Sequence, residues 1–207
     1  MISEEEAELI GIILGDGYIY QKDNHYRFGF TGNPHTDCEY YQHLRALICS
    51  VTGKDARVTL RARGLRIVVN SKDYVKRLTD FFGLPFGKHK DRRISIPARI
   101  AEDWELAKHT IRGLVDTDGS VFTADKPGSP NYPTIELNTT SELLAIQLKQ
   151  LLEEQGFRVT KVWSYRSVVS TTPLFKIALN GKKNLEKWIR DIGFSNPHKS
   201  AIALNAL

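Results

Sequence analysis

Two aspartates in matching contexts are the residues of this sequence best suited to chemistry. Asp16 ends the apolar run LIGIILGDG and Asp118 ends the run IRGLVDTDG, 102 residues further along, and each is followed by a glycine. If both runs are helices packed side by side, their carboxylates converge, repel each other and oppose the negative ends of the helix dipoles. A divalent cation bound by both would relieve this cost, and hard oxygen ligands favour Mg²⁺ or Mn²⁺ over zinc. A single Asp-Gly pair indicates only a turn, but the repeated pair predicts a metal site.

Glycines inside the two runs predict close packing of the helices that carry the aspartates. Gly11 and Gly15 lie four residues apart on one face of the first helix, which lets another backbone approach closely. Gly113 is in register with Gly11 in the second run, whereas Thr117 replaces the second glycine.

The similarity continues beyond these motifs, so we interpret the chain as a duplication. Three further landmarks recur in the same order, at offsets of 109 or 110 residues. They are Ile67–Asn70 with Ile177–Asn180, Phe82–Leu84 with Ile192–Phe194, and His89–Lys90 with His198–Lys199. Two copies are too few for a solenoid, so the sequence predicts a pseudo-twofold pair of repeats, residues 1–102 with the linker and residues 103–207.

Each repeat has the order αββαββα, which predicts an α+β fold with two antiparallel sheets. Ser3 and Glu6 form a capping box that opens the first helix. In the first repeat we predict helices at 3–14, 36–51 and 71–83, and strands at 18–31, 57–62 and 65–70. In the second we predict helices at 103–117, 141–156 and 182–192, a terminal helix from Asn196, and strands at 120–124, 133–138, 158–166 and 174–180.

These residues resemble the LAGLIDADG family of homing endonucleases, in its single-chain form with two motifs. The resemblance covers essentially the whole chain. The second motif matches the family pattern at Gly113, Asp116, Asp118 and Gly119, whereas the first has Leu14 in place of the first aspartate. Since the family's metal ligand is the later aspartate of each motif, the resemblance implies that Asp116 is structural.

The resemblance implies a metal site and a reaction. The metal ligands would be the carboxylates of Asp16 and Asp118 and the backbone carbonyls of Gly15 and Thr117, with Mg²⁺ as the cofactor and Mn²⁺ as a substitute. The motif helices would pack at the centre, and each repeat would contribute a curved sheet to a saddle over the DNA major groove. The activity implied is a staggered double-strand break at a long asymmetric target, made by metal-assisted hydrolysis of phosphodiesters. The partner implied is double-stranded DNA bound by a monomer, with intron RNA as a further partner.

The family also keeps a lysine close to each site. Lys90 and Lys199 form the symmetric pair that fits this catalytic role, and Lys88 competes with Lys90 in the first repeat. Ordinary surface lysines are the alternative.

Some family members carry a polar residue after the second strand of each repeat, where it orients water. Gly32-Asn33 and Asn138-Thr139 fall near that place, and Gly32 has no side chain for the role.

Basic and aromatic residues on the predicted strands provide a candidate DNA surface. Arg57, Arg61 and Arg63 share one parity, so they project from one face of the sheet. Arginine can contact guanine bidentately in the major groove, while other cations hold phosphates. The DNA-binding candidates are Tyr18, Tyr20, Arg27, Arg57, Arg61, Arg63, Arg66, Arg158, Lys161 and Arg166. A solvated polar sheet face is the alternative.

Composition agrees with a nucleic-acid partner without identifying one. The net charge is +5, and both halves are mildly basic, which favours an acidic partner that touches both. Two cysteines are too few for a disulfide framework, and no apolar run approaches the ~20 residues of a membrane span. The N-terminus is acidic, unlike a signal or transit peptide. We therefore expect a soluble, cytoplasmic protein. His35, Cys38, His43 and Cys49 lack the paired short spacings of structural zinc sites, which favours buried thiols and surface imidazoles.

Two other functions fit the same motifs. The first is a non-cleaving nucleic-acid-binding protein of the same fold, such as an RNA splicing cofactor or a transcription regulator; the presence of both carboxylates favours cleavage instead. The second is the endonuclease part of a self-splicing protein insert, which needs a Cys or Ser at its first residue and a His-Asn pair at its end. The sequence starts with Met1 and ends with Leu207, which favours a free-standing, intron-encoded protein.

Overall fold

The structure is a computed structural model that describes residues 1–61, 64–88, 94–166 and 172–207, and of residues 61 and 88 the backbone alone. The chain forms two compact units. The first contains Met1–His89 and Ile96–Leu114, and the second contains Lys90–Ser95 and Val115–Leu207. The division thus falls after Leu114, within a helix, whereas the predicted repeat boundary lies at 102/103. The repeat boundary marks where the sequence pattern restarts, and it stays a prediction.

In the described residues, the first unit combines four α-helices, part of a fifth and one antiparallel sheet. Its helices are α1 (Glu4–Asp16), α2 (Cys38–Thr52), α3 (Lys72–Lys76), α4 (Ala98–Ala101) and the N-terminal part of α5 (Trp104–Asp118). Its strands are β1 (Gly17–Lys22), β2 (His25–Gly32), β3 (Arg57–Arg61), β4 (Gly64–Asn70) and β5 (Gly87–Lys88). The order across the sheet is β3-β4-β2-β1-β5. The two-residue β5, which the sequence pattern did not predict, pairs with β1.

Alternation along these strands separates a core face from a solvent face. Ile19, Phe28, Phe30, Ile67 and Val69 are buried on the core face. The helix α1 is buried on nearly every side, as expected for a helix whose apolar residues do not form a single stripe.

Two buried carboxylates of α1 have cationic partners. Arg77 donates to both oxygens of Glu6, at 2.6 and 2.7 Å. Glu8 is bonded to Arg112 and, at 2.9 Å, to the His43 ring nitrogen. Buried charges are tolerated when they are paired in this way.

The described residues of the second unit form a four-stranded antiparallel sheet and its helices. Its strands are β6 (Gly119–Lys126), β7 (Ser129–Thr139), β8 (Trp163–Tyr165) and β9 (Leu174–Asn180), in the order β6-β7-β9-β8. Its helices are α6 (Glu142–Glu154), α7 (Lys182–Asp191), α8 (Pro197–Asn205) and the end of α5. Val121, Ile135, Leu137, Ile177 and the fully buried Trp188 contribute to its core. The predicted α+β class with two antiparallel sheets is confirmed.

Two predicted elements differ from the structure for identifiable reasons. The strand expected at 158–166 is reduced to a bridge at Val159 and to β8. The Asn184 side chain bonds the backbone N–H and carbonyl of Arg158, at 3.1 and 2.8 Å, so a side chain takes the place of the strand ladder there.

The helix expected at 71–83 changes geometry midway. After α3 the chain forms a π-helical turn, Arg77–Phe81, in which the Phe82 N–H donates to the carbonyl of Arg77 at 3.1 Å. In this turn the Arg77 guanidinium lies 4.6 Å from the Phe81 ring centre as well as against Glu6.

The described residues bear on the expectations about the cysteines, metal-binding clusters and membrane spans. Cys38 and Cys49 are exposed, so the expectation of buried thiols was wrong. The described part of the chain contains no group of three or more His, Cys, Asp or Glu side chains placed to hold a metal. None of its helices has the length and hydropathy needed to cross a membrane.

Candidate active site and nucleic-acid interface

The backbones of α1 and of the N-terminal part of α5 approach each other closely. A methyl group at Gly11 would lie 2.0 Å from the carbonyl oxygen of Thr110, and one at Gly113 would lie 2.4 Å from that of Glu8. The Thr110 hydroxyl donates to the carbonyl of Ala7 at 2.7 Å. Gly11 and Gly113 therefore allow close packing between α1 and the N-terminal part of α5, both in the first unit, and the contribution of Gly15 stays a prediction.

Both candidate metal-binding aspartates are the last residues of their helices. Asp16 ends α1 and Asp118 ends α5, and the next residue starts a strand in each case. The glycines at 17 and 119 allow this abrupt change, because a methyl group at either position would lie 2.6 Å from the carbonyl oxygen four residues earlier. Both aspartates are exposed, although the residue two positions before each is buried. The sequence thus presents two equivalent carboxylates to solvent at helix C-termini.

This donor chemistry fits a hydrated divalent cation. Each carboxylate is a hard oxygen ligand at the negative end of a helix, which is the environment that Mg²⁺ and Mn²⁺ accept while they keep bound waters. Asp16 belongs to the first unit and Asp118 to the second. The predicted sharing of one metal region by both carboxylates, with the carbonyl of the buried Gly15, stays a prediction.

The lysine predicted for the second catalytic site lies on the end of α5. The Lys199 ammonium donates to the carbonyls of Val115 at 2.6 Å, Asp116 at 2.9 Å, Thr117 at 3.2 Å and Gly119 at 2.6 Å. These are the carbonyls that a helix C-terminus leaves without helical partners, and a cation there also interacts favourably with the helix dipole. Lys199 is therefore a C-terminal cap of the helix that presents Asp118, and one of its acceptors is the Thr117 carbonyl assigned to the metal by the resemblance.

The first aspartate of the second motif has a structural partner. Asp116 is buried, and its Oδ2 accepts a 2.8 Å hydrogen bond from the backbone N–H of Ser195. The Asn196 side chain donates to the Asp116 carbonyl at 3.3 Å and caps α8, the helix that carries Lys199. This agrees with a structural role for Asp116. The equivalent Leu14 is buried among apolar residues of the first unit.

The remaining lysine candidates cannot be placed in the same way. Lys90 lies outside the described residues. The backbone of Lys88 pairs with Tyr18 in the β1–β5 ladder, and its side chain is outside the description.

Five DNA-binding candidates of the first repeat share the solvent face of its sheet: Tyr18, Tyr20, Arg27, Arg57 and Arg66. Tyr20 lies opposite Arg27 in the β1–β2 pair, and Tyr18 lies opposite Gly29. In the β3–β4 pair Arg57 lies opposite Val68, which is two residues along β4 from Arg66. The Arg66 guanidinium donates to the Tyr18 hydroxyl at 3.3 Å, and that of Arg27 lies 4.2 Å from the centre of the Tyr20 ring. The backbone of Arg61 pairs with Gly64 at the end of β3, and Arg63 lies outside the described residues.

The candidates of the second repeat are exposed but do not share one strand. Lys161 lies with its ammonium 3.9 Å from the centre of the exposed Trp163 ring, and Arg166 follows β8. Arg158 instead lines a cleft with Lys182 and Lys183 at the start of α7.

Tyr41, which the sequence patterns did not single out, occupies the space where a side chain at Gly32 would lie. A methyl group at Gly32 would lie 2.6 Å from the Tyr41 hydroxyl. Burial, followed by the negative charges of Asp16 and Asp37, raises the pKa of Tyr41, so the hydroxyl stays protonated. The missing side chain at Gly32 was visible in the sequence, but nothing there indicated that a residue of α2 would take its place.

The other residues expected to orient water are held within the protein. Asn33 accepts from the backbone N–H of His35 at 2.9 Å, and Thr139 accepts from that of Ser141 at 3.1 Å. Asn138 donates to Glu136 at 3.0 Å.

Comparison with known families supports the interpretation of the motifs. Residues 105–193 match the family described as a LAGLIDADG-like domain. This part of the chain is similar to a LAGLIDADG-like domain. The match includes the second motif with Asp116 and Asp118, and the resemblance inferred from the two motifs is confirmed.

Solved structures extend this LAGLIDADG fold over the whole chain. The structure of I-DmoI, a homing endonuclease, in complex with DNA and Ca covers 100% of this chain and 99% of its own, with a TM-score of 0.64 at 17% identity. The homing endonuclease I-WcaI bound to its DNA recognition sequence covers 97% and 87%, with a TM-score of 0.62 at 17% identity. The N-terminal LAGLIDADG domain of WhiA covers 92% and 84%, with a TM-score of 0.57 at 17% identity.

Curated relatives are much longer proteins. The chain is 24% identical over 224 residues to the tRNA-splicing ligase RtcB of Pyrococcus furiosus, a match that takes in 97% of this chain and 22% of that protein. It is 27% identical over 203 residues to the replication factor C small subunit of Methanocaldococcus jannaschii, taking in 95% and 10%. The chain therefore spans about a fifth or less of the length of these relatives.

Proposed function

We propose that this protein is a LAGLIDADG site-specific DNA endonuclease that makes a staggered double-strand break with Mg²⁺. The observation that carries the proposal is the pair of exposed carboxylates, Asp16 and Asp118, at equivalent ends of α1 and α5. An acid at the C-terminal end of a helix opposes the helix dipole, and a bound cation would offset that cost at both positions. The protein would act on its long asymmetric target as a monomer.

Mg²⁺, with Mn²⁺ as a substitute, would be held by Asp16 and Asp118, with the carbonyls of Gly15 and Thr117 nearby. A divalent cation there supplies stabilisation of the charge that develops on the phosphate and a lower pKa for the attacking water. The protein's own contribution is to hold the carboxylates: Gly11 and Gly113 allow close helix packing, and Lys199 and Asp116 fix the end of α5. Lys90 remains the proposed lysine of the first site.

The sheet faces support duplex DNA as the partner. Arg27, Arg57 and Arg66 share the solvent face of the first sheet, where guanidinium groups can contact bases or phosphates. I-DmoI and I-WcaI, which share this fold, have been solved with DNA.

Selection of cleaved sequences from a randomised duplex library tests the proposal and identifies the target. A plasmid with the selected target should be linearised with Mg²⁺ and remain intact with EDTA. Asp16→Asn and Asp118→Asn should each abolish linearisation, because each removes the carboxylate from one site. Asp23→Asn is the matched control: it removes an exposed carboxylate from the β1–β2 turn, at a positive φ of 53° that asparagine accepts, and should retain cleavage.

A non-cleaving nucleic-acid-binding protein is the second candidate function. Its support is that the same fold forms the N-terminal domain of WhiA, so the fold alone does not establish cleavage. Tight binding that does not depend on metal, with no cut in any selected duplex, would establish this candidate in place of the endonuclease. A tight complex with intron RNA would extend it to splicing.

The longer relatives favour an inserted origin for this kind of segment. Two proteins with unrelated names match nearly all of this chain over a fifth and a tenth of their lengths. A shared segment of this kind fits a mobile element placed in different hosts, and it supports the self-splicing insert over the free-standing protein expected from the sequence. Mass spectrometry of the chain expressed with its native flanking coding sequence tests this: excision of a segment supports the insert, and a single unspliced product supports the free-standing protein.

A further inference from the structure

The two sheets present different chemistry on their solvent faces. In the first sheet, Arg27 lies over Tyr20 at 4.2 Å, and Arg66 donates to Tyr18 at 3.3 Å. Phenol groups thereby hold two guanidinium groups above the sheet, with the exposed Arg57 on the next strand. Guanidinium groups held in this way lose less side-chain entropy when they bind.

Polar groups at the centre of the second sheet satisfy one another instead. Glu136 accepts from the Lys176 ammonium at 2.7 Å and from the Asn138 amide at 3.0 Å. The Tyr165 hydroxyl donates to the Asn138 carbonyl oxygen at 3.2 Å. The carboxylate and the amide that could otherwise read cytosine or adenine are thus engaged by other side chains of the same sheet.

Three aromatic side chains are exposed on this second face. Phe122, Trp163 and Tyr165 are 40%, 52% and 44% exposed. Phe122 lies opposite Thr134 in β7, which shares its parity with Glu136, and Trp163 lies opposite Lys176. Cations border these rings: Lys161 lies over Trp163, and Arg166 follows Tyr165. An apolar surface with a cationic border complements bases flanked by phosphates.

We infer that the two repeats read different base chemistry: the second sheet recognises thymine methyl groups through Phe122 and Trp163, and the first recognises guanines through Arg27 and Arg66. The reason is that each base presents a different set of methyl, donor and acceptor groups in the major groove. Thymine offers its C5 methyl group to apolar side chains, and guanine offers O6 and N7 to a guanidinium group. The target therefore has a thymine-dependent half and a guanine-dependent half. This inference rests on the proposed function, since it concerns how the same protein selects its DNA.

Base analogues test the inference with the wild-type protein. Deoxyuridine in place of a single thymine removes the methyl group and keeps the base pair, and 7-deazadeoxyguanosine in place of a guanine removes the N7 acceptor. Binding to the selected duplex is measured by fluorescence anisotropy in EDTA, so that no cleavage occurs. Loss of one buried methyl group should weaken binding about fourfold, and loss of an N7 contact about fivefold or more. Thymine effects should cluster in one half of the target and guanine effects in the other.

Variants assign each half to a sheet. Phe122→Ala and Trp163→Ala should bind more weakly and lose the deoxyuridine effect while they keep the 7-deazadeoxyguanosine effect. Arg27→Gln and Arg66→Gln should show the reverse, so each pair is the matched control of the other. All four side chains lie on solvent faces, and thermal unfolding verifies that each variant is folded.

Three results would overturn the inference. One is a deoxyuridine effect below about 1.5-fold at every thymine, and another is a deoxyuridine effect that persists in both aromatic variants. The third is binding of a single-stranded oligonucleotide as tight as that of the duplex, lost in Trp163→Ala, because the rings would then stack on unpaired bases. Failure to bind any duplex would overturn the proposed endonuclease itself, so the two kinds of failure are distinguishable.

Discussion

Replacement of Lys199 by methionine tests whether this lysine caps α5 or acts only on the substrate. Methionine keeps an unbranched apolar stem of similar length and removes the ammonium group. The wild-type ammonium makes four contacts of 2.6 to 3.2 Å with carbonyls at or just after the end of the helix. Its three N–H groups are therefore fully used by the protein.

The magnitude follows from the kind of bond that is lost. A hydrogen bond to a charged group contributes about 1.5–3 kcal/mol, and a cation at a partly buried helix C-terminus contributes up to ~2 kcal/mol. These contributions overlap and water can reach some of the released carbonyls, so we expect Lys199→Met to lower the free energy of unfolding by about 3 kcal/mol. For a chain of 207 residues this corresponds to a fall in Tm of roughly 6–12 °C.

Urea denaturation and a thermal melt measure this change in stability, and two further variants serve as comparisons. Lys199→Arg keeps the charge and should recover part of the stability. Lys183→Met changes an exposed lysine of α7 and should alter stability by less than about 0.5 kcal/mol. If Lys199→Met were as stable as the wild type and yet failed to cut DNA, the capping argument would be refuted and the lysine would act on the substrate.

Three further changes test the packing and charge pairing of the first unit. Gly11→Ala should destabilise by about 1–3 kcal/mol in urea denaturation, because its methyl group would lie 2.0 Å from the Thr110 carbonyl; an unchanged midpoint would contradict this close approach. Arg77→Met should cost about 2 kcal/mol by the same measurement, since it leaves the buried Glu6 carboxylate without its bidentate partner. Burial, with a neighbouring guanidinium, lowers the pKa of His109, so its contribution to stability is complete above its ordinary pKa near 6.5 and is lost as the pH falls below it. The urea midpoint of His109→Gln should therefore fall less than that of the wild type between pH 7.5 and 5.5.

Periodicity and capping residues predicted most elements of the fold, because each depends on nearby sequence. Ser3 does accept from the Glu6 N–H, as the predicted capping box requires. The strand at 158–166 failed because Asn184, from another helix, satisfies the backbone of Arg158. No local pattern contains such a contact between distant residues.

The candidate site likewise contains features that nearby sequence predicts and features that depend on contacts between distant residues. Comparison of the two motifs was enough to find Asp16 and Asp118, since a duplicated acid can be read from the sequence. The acceptors of Lys199 could not be read in this way, because they are backbone carbonyls from another helix. The position of Tyr41 over Gly32 likewise depends on how α2 packs against the sheet.

The residue two positions before each motif aspartate is held differently in the two units. In the second unit, Asp116 binds the Ser195 N–H and Lys199 caps the helix, so polar bonds tie α8 to the residues that present Asp118. In the first unit the residue equivalent to Asp116 is Leu14, which is 2% exposed and packs in an apolar core. Apolar packing has no directional requirement, whereas each hydrogen bond fixes a distance and an angle. The position of Asp116, and with it the end of α5, should consequently depend on single polar side chains, and that of Leu14 on the shape of the surrounding core.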